Sequence, residues 1–273
     1  MDFNKVKPLI FGTGLSSSKD YQGLLNCSTA AVDSGIRWFD TAPSYKTEEL
    51  LGRVIGDILK NQRLKREDVL VQTKIDPIQM YEGKVRKHVE STLKKMSLDY
   101  FDCLLIHWPV YNYFRKTWDV LERLKDDGIV RRIGICNLRI THLNELQGIG
   151  IMPDILQIER HPLNSFEEER LFCIKNNIVL QDYSPLCKMH PLLSKDSDLI
   201  GMANNHSCGI GEVILLWHIQ TGAIPIFTST KTIRIQTYAN LGGIKLSEDE
   251  VAAINTKNIN YKLYLESLIC PGF

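Results

Sequence analysis

Short apolar runs alternate with longer amphipathic segments along almost the whole chain, the pattern of parallel strands joined by crossover helices. Strands are expected at 9–13, 37–40, 69–73, 103–107, 130–135, 155–158, 178–182 and 223–227, each followed by a helical stretch. Eight such units point to an α/β fold closed into a (β/α)8 TIM barrel. The 273 residues exceed the usual domain size, but barrels of this kind enclose one core at such a length, so residues 1–273 read as a single domain. Residues 84–96 and 114–125 carry apolar side chains at three- and four-residue spacing, and Gly35 and Gly128 follow predicted helix ends as caps. Ser247-Glu-Asp-Glu250 reads as a capping box opening a last helix from 251 to about 256. An open doubly wound sheet is the alternative, but Gly12-Thr-Gly14 lacks the third glycine of a dinucleotide fingerprint.

In such a barrel the active site lies at the carboxyl ends of the strands, so polar residues that close the apolar runs are the ones to collect. Strand two ends in Asp40, with Tyr45 in the loop beyond it; strand three ends in Lys74, and strand four in His107-Trp108-Pro109. Each has an ordinary explanation alone: Asp40 as a helix cap, Tyr45 as a surface loop residue, Lys74 as a solvated strand end, His107 as a structural histidine or metal ligand. The chain offers neither H-E-x-x-H nor paired cysteines, which argues against a metal.

Taken together the four form a coherent set for carbonyl chemistry. Hydride delivery to a carbonyl leaves negative charge on oxygen, so a proton donor and fixed hydrogen-bonding or positive groups are needed there. Tyr45 is the donor candidate. A free phenol, with a pKa near ~10, is a poor acid unless a neighbouring cation stabilises its phenolate. Lys74 can supply that cation, Asp40 can hold the ammonium, and His107 can donate a hydrogen bond that orients the substrate oxygen.

The balance of 33 basic and 32 acidic residues argues against a partner held by a strong overall field, such as nucleic acid or an anionic membrane; a small molecule fits better. The seven cysteines are odd in number and scattered, as expected of reduced thiols serving as packing residues. No secretory signal and no apolar run of membrane-spanning length is visible, so a cytoplasmic location is the expectation, and a monomer is the simplest state to expect. Thr228-Ser-Thr-Lys-Thr-Ile-Arg234 reads as a hydroxyl-rich turn entering a helix with two cations, suited to a phosphate or simply solvated.

Gly35-Ile-Arg-Trp-Phe-Asp-Thr-Ala42 with Tyr45 and Glu49-Leu-Leu-Gly52 resembles the first signature of the aldo-keto reductase superfamily. The stretches 98–109, 128–137, 157–162 and 183–186 are similar to later motifs in the same order, so the resemblance covers nearly the whole chain. It implies NADPH-dependent carbonyl reduction with a catalytic tetrad of Asp40, Tyr45, Lys74 and His107 and no metal. The cofactor would lie extended across the barrel mouth, bordered by Gly12, Thr13 and Asp40. Asn137 and Gln157 would hold the nicotinamide carboxamide, Tyr183 would stack on its ring, and Ser184 and Leu186 would line the pyrophosphate path. Ser229, Lys231 and Arg234 would meet the 2′-phosphate, and Trp108 and Tyr111 the substrate.

Several positions depart from the commoner pattern: Cys136 stands for a serine, Leu156 for an asparagine, Thr228 for a lysine, and Leu15 for an aromatic residue. Substrate choice would rest on loops after strands one and four, the latter at 111–114, and on the tail 268–273 with Phe273. The alternatives are a regulatory NADPH-binding subunit with little turnover, like the potassium-channel β-subunits, and an alcohol or sugar dehydrogenase working oxidatively. Histidine at 107 favours carbonyl over carbon–carbon double-bond reduction, since family members of the latter type usually carry glutamate there.

Overall fold

The structure, a computed structural model, describes residues 6–14 and 20–265. Eight parallel strands form a closed barrel in sequence order: β1 (Ile10–Gly12), β2 (Trp38–Asp40), β3 (Leu70–Ile75), β4 (Phe101–Ile106), β5 (Val130–Cys136), β6 (Ile155–Glu159), β7 (Val179–Tyr183) and β8 (Ala223–Phe227). The ring closes through Ile10 opposite Ile226 and Phe11 opposite Phe227. Around it run α1 (Tyr21–Asp33), α2 (Glu48–Gln62), α3 (Pro77–Glu82), α4 (Val85–Met96), α5 (Tyr111–Asp126), α6 (Ile140–Gly148), α7 (Glu167–Asn176), α8 (Pro191–Ser194), α9 (Ser197–Asn205), α10 (Ile210–Gln220), α11 (Thr232–Ala239) and α12 (Glu248–Asn255).

The two-residue period of the strands divides the core in two. Trp38, Leu70, Cys103, Leu105, Cys136 and Ile155 fill the barrel interior, while Phe39, Val71, Leu104, Ile106 and Ile135 turn outward onto the helices. Strands covered on both faces read as near-continuous apolar runs, which is why they were visible in the sequence. Gly35 (φ 86°) and Gly128 (φ 73°) lie just past the ends of α1 and α5 in the left-handed region that a glycine cap supplies. Gly52 has a different reason: a Cβ on it would stand 2.4 Å from the Met96 Cα, so α2 and α4 can approach only over a bare backbone.

Three expectations shift. β3 continues past Lys74 through buried Ile75, which pairs with Ile106. Residues 111–114, expected as loop, are the first turn of α5, and α12 begins at Glu248 beside its Ser247 cap. The cysteines among the described residues are free, and no described helix is long and apolar enough to cross a membrane. Leu15, Cys270 and the tail 268–273 with Phe273 lie outside the described residues.

One buried ionic cluster shapes the barrel mouth. Arg160, fully buried, donates to Asp182 Oδ2 (2.9 Å) and lies over the Trp217 ring (4.1 Å). His218 lies 2.6 Å from the same carboxylate oxygen and 3.1 Å from the Pro185 carbonyl, tying α10 to the loop after β7. A guanidinium buried without water is costly unless such partners satisfy its donors.

Candidate active site

Asp40 closes β2, and Tyr45 ends the short 3-10 turn Pro43–Tyr45 that follows. On the neighbouring β3, Gln72 and Lys74 are two residues apart and so face the same way, into the barrel. The Lys74 ammonium donates to both Asp40 oxygens (2.7 Å each), to the Thr41 carbonyl (2.9 Å) and to the Tyr45 hydroxyl (3.4 Å). Lys74 is fully buried, and burial is the largest single influence, acting against its charge; Asp40, with Tyr45 and Cys136 adding to it, raises its pKa above the ordinary lysine value. Burial likewise dominates at Tyr45, whose phenol is pushed up to about 12, with Lys74 the largest opposing influence. The lysine therefore opposes the phenol's burial without bringing its pKa below the free value.

Asp40 is held from the other side by amides. Gln72 Nε2 donates to its Oδ1 (2.6 Å), Gln72 and Gln181 exchange reciprocal bonds of 2.9 Å, and Gln157 Nε2 donates to Gln181 Oε1 (2.9 Å) and to Asp40 Oδ1 (3.4 Å). This amide network joins β2, β3, β6 and β7 beneath the mouth and restrains the carboxylate on which Lys74 depends.

His107, immediately after β4, packs edge-on against Tyr45, with ring centroids 5.8 Å apart. Its Nδ1 contacts the carboxylate of Asp76, which follows β3, caps α3 and accepts the Ser44 N–H at 2.8 Å. Burial lowers the pKa of His107, and the hydrogen bond to Asp76 is the first influence against that. Burial also disfavours the Asp76 carboxylate, but the bonds from His107 and Ser44 hold its pKa below the usual range.

A cavity of about 780 Å³ opens at this end of the barrel. Its lining includes Gly12, Asp40, Tyr45, His107 and Trp108 on one side of the sequence, and Asn137, Gln157 and Tyr183 beyond them. Ser184, Leu186, Lys188, Thr228 and Arg234 complete it from the loops after β7 and β8. Asn137 adopts a left-handed φ of 63°, which asparagine tolerates. Its Nδ2 donates to the His107 carbonyl (2.9 Å) and its Oδ1 accepts from the Tyr183 hydroxyl (2.8 Å), so one amide N–H is left to meet a ligand. Gln157 is the complement: both its N–H groups are engaged, and its amide oxygen is the atom it can offer.

Four of the expected contact residues are not in that lining. Thr13 is buried, donating its hydroxyl to the Asp40 carbonyl (3.1 Å) and bonding to Thr47 (2.8 Å), so it joins strand ends and does not face the cavity. Ser229 closes a turn on Lys231, accepting its N–H at 3.0 Å, and Lys231 points outward as the cap of α11. Tyr111 is 75% exposed on the first turn of α5. Of the departures, Cys136 is sealed inside the barrel, where burial raises its pKa, and Leu156 packs in the helix-facing core.

Three residues near the site escaped sequence reasoning. Asp76, followed by proline at a helix start, reads as an ordinary cap, and nothing local links it to His107. Lys188 sits in a loop where Ser184, Cys187, Lys188 and Met189 all take left-handed φ values, a strain of order 1 kcal/mol each that packing must offset. Tyr264 also lines the cavity, edge-on to Tyr183 at 5.9 Å and under the Lys188 ammonium at 5.1 Å. It is held there by Glu159, whose carboxylate accepts the N–H groups of Leu263 (2.6 Å) and Tyr264 (2.9 Å) and lies 3.0 Å from His161 Nε2.

Comparisons with known proteins agree on what this geometry is similar to. The sequence model of the Aldo/keto reductase family matches residues 8–259. A glyoxal reductase of Bacillus subtilis is 34% identical over 257 residues, covering 93% of this chain and 91% of that protein. The methylglyoxal reductase DkgA of Escherichia coli is 28% identical over 93% of this chain and 90% of its own length. The crystal structure of a Bombyx mori aldo-keto reductase in complex with NADP superposes with a TM-score of 0.87 at 29% identity, over 96% of this chain and 92% of that one.

Proposed function

The chain belongs to the aldo/keto reductase family, and from that premise we propose that it reduces a small aldehyde or ketone to the alcohol with NADPH, α-dicarbonyls such as glyoxal and methylglyoxal being the first substrates to try. The observation that carries this reading is the buried Lys74 ammonium, bonded at 2.7 Å to Asp40 and at 3.4 Å to the hydroxyl of Tyr45, two residues that themselves line one cavity. The similarity to the glyoxal and methylglyoxal reductases supports the substrate class, and the NADP complex of the Bombyx mori protein supports the cofactor.

The lining residues suit such a cofactor. The free N–H of Asn137 and the free amide oxygen of Gln157 complement the two ends of a carboxamide, Tyr183 offers an aromatic wall, and Lys188 and Arg234 offer cations for phosphate groups. Bound NADPH supplies the hydride. Tyr45 presents its O–H to the substrate oxygen and is the proton donor; with its pKa near 12 it stays protonated at neutral pH, and an alkoxide is basic enough to take its proton. Lys74 stabilises the phenolate left behind, Asp40 and the glutamines beneath it hold Lys74, and Trp108 adds an apolar wall where a substrate would sit.

The test is NADPH consumption with a panel of α-dicarbonyls, aldehydes and ketones, run on wild type and Tyr45→Phe. Turnover that collapses in the variant while NADPH still binds supports the reading. Tight NADPH binding with no turnover in the wild type would transfer it to a regulatory, cofactor-sensing role.

A further inference from the structure

The Asp76 carboxylate determines which nitrogen of His107 carries the proton when the ring is neutral. An ionised carboxylate only accepts hydrogen bonds. One Asp76 oxygen takes the Ser44 N–H at 2.8 Å and the other faces His107 Nδ1. These bonds hold Asp76 ionised against the opposing effect of burial, so the hydrogen between the two side chains belongs to Nδ1. Nε2 has no hydrogen-bond partner among the described residues, and His107 lines the cavity beside the edge of Tyr45.

A neutral imidazole has a single N–H. With it committed to Asp76, Nε2 shows a lone pair to the cavity and cannot donate to a carbonyl oxygen. The ring becomes a donor there only by taking up a second proton, and Asp76 favours that cation at close range.

We propose that Asp76 is a positioning residue which, by holding the Nδ1 proton, makes Nε2 of His107 the atom that gains and loses a proton, and that this pair is a second proton source for the substrate oxygen beside Tyr45. The proposal rests on the carbonyl-reductase reading above. As the hydride of NADPH adds to the carbonyl carbon, the π pair moves onto oxygen and the Nε2 proton of the imidazolium moves to that oxygen. The ring is left neutral with Nδ1–H still on Asp76, and one proton from solvent restores it. Tyr45 serves the same oxygen when His107 is neutral.

The groups acting on the ring set where this second source operates. Burial lowers the pKa of His107; Asp76 and Asp40 favour the cation, and Lys74 opposes it. Glu48, His88 and Cys136 bear on Asp76 in turn, and the Tyr45 edge completes the surround. The imidazolium route therefore belongs to the acid side of neutrality.

Two measurements test it independently. Long-range proton–nitrogen spectra of histidine-labelled protein saturated with NADP⁺, with the signal assigned by its loss in His107→Gln, are expected to show neutral His107 protonated on Nδ1. A proton on Nε2 overturns the proposal whether or not any carbonyl is turned over, so failure here is distinct from failure of the reductase reading. The second measurement is the pH profile of kcat/KM in Tyr45→Phe between about pH 5 and 8, the range in which a histidine titrates. Residual reduction is expected to rise by about tenfold toward acid, within the 10²–10⁴ of general-acid catalysis, and the rise should vanish when Asp76→Asn is added. A flat profile in Tyr45→Phe, or an acid rise that survives Asp76→Asn, overturns it. The asparagine keeps an oxygen for the Ser44 N–H but turns an NH2 donor toward Nδ1, so it removes both the charge and the acceptor that holds the Nδ1 proton.

Discussion

The Lys74 ammonium, sealed from water, stands 2.7 Å from both carboxylate oxygens of Asp40, whose side chain is only 4% exposed at the cavity wall. Each charge is tolerable only because of the other, so stability and catalysis should separate on mutation. Lys74→Met leaves Asp40 as an uncompensated buried carboxylate and is expected to cost about 3–5 kcal/mol in urea unfolding. Adding Asp40→Asn should recover most of that stability without recovering turnover. A double variant that reduces carbonyls at the wild-type rate would remove Lys74 from the mechanism.

The cofactor contacts divide by position. Arg234 reaches the cavity lining while Lys231 does not. Arg234→Ala is therefore expected to weaken NADPH binding by about tenfold or more, the loss of a charge-assisted bond of roughly 1.5–3 kcal/mol, and to leave NADH binding unchanged. Lys231→Ala should alter neither. Calorimetric titration of both nucleotides checks this, and an unchanged NADPH affinity in Arg234→Ala would move the phosphate contact elsewhere.

Asp76 should contribute to stability in a defined pH window. Its folded pKa is depressed, so its contacts stabilise the fold at pH values above the unfolded carboxyl value near ~3.9, and the contribution is lost as pH falls through the lower folded value. The stability gap between wild type and Asp76→Asn is expected to be about 2 kcal/mol near neutrality and to shrink on acidification below that value. A gap that widens on acidification contradicts the ionised, bonded state of Asp76.

Gly52 and Gly56 lie one turn apart on α2 and should respond oppositely. Gly52→Ala forces a methyl to within 2.5 Å of the Met96 backbone oxygen and is expected to cost about 1–3 kcal/mol. Gly56 has nothing within 4 Å of its would-be Cβ, so Gly56→Ala should gain up to roughly 1 kcal/mol from helix propensity. Equal effects in denaturant unfolding would mean that the α2–α4 approach is not what requires glycine at 52.

What the sequence revealed and what it hid follow the range of the interactions. β8 was legible to the residue because Ala223–Phe227 is a buried apolar run bounded by a glycine and a hydroxyl-rich turn. Asp40, Tyr45, Lys74 and His107 were legible as candidates because they close apolar runs at successive strand ends, and the structure brings Asp40, Tyr45 and His107 to one cavity with Lys74 bonded beneath them. Thr13 misled because a hydroxyl at a strand end can turn to a neighbouring strand as well as to a ligand, and here Asp40 and Thr47 take it. Asp76 stayed hidden behind its local role as a helix cap, since its second partner stands 31 positions away, just past the end of the next strand. Tyr264 was hidden for the same reason at greater separation: only the closed barrel brings Glu159 to the backbone of Leu263.

The tail contact at Glu159 has a further consequence for how this cavity can change. A carboxylate at the end of β6 grips two backbone N–H groups, and backbone is present whatever side chains the tail carries. The segment around Tyr264 can thus exchange its side chains while its attachment stays in place. One wall of the reaction chamber is therefore a replaceable panel hung on a permanent hook, and substrate range can be retuned there without disturbing the strands that hold Lys74 and His107.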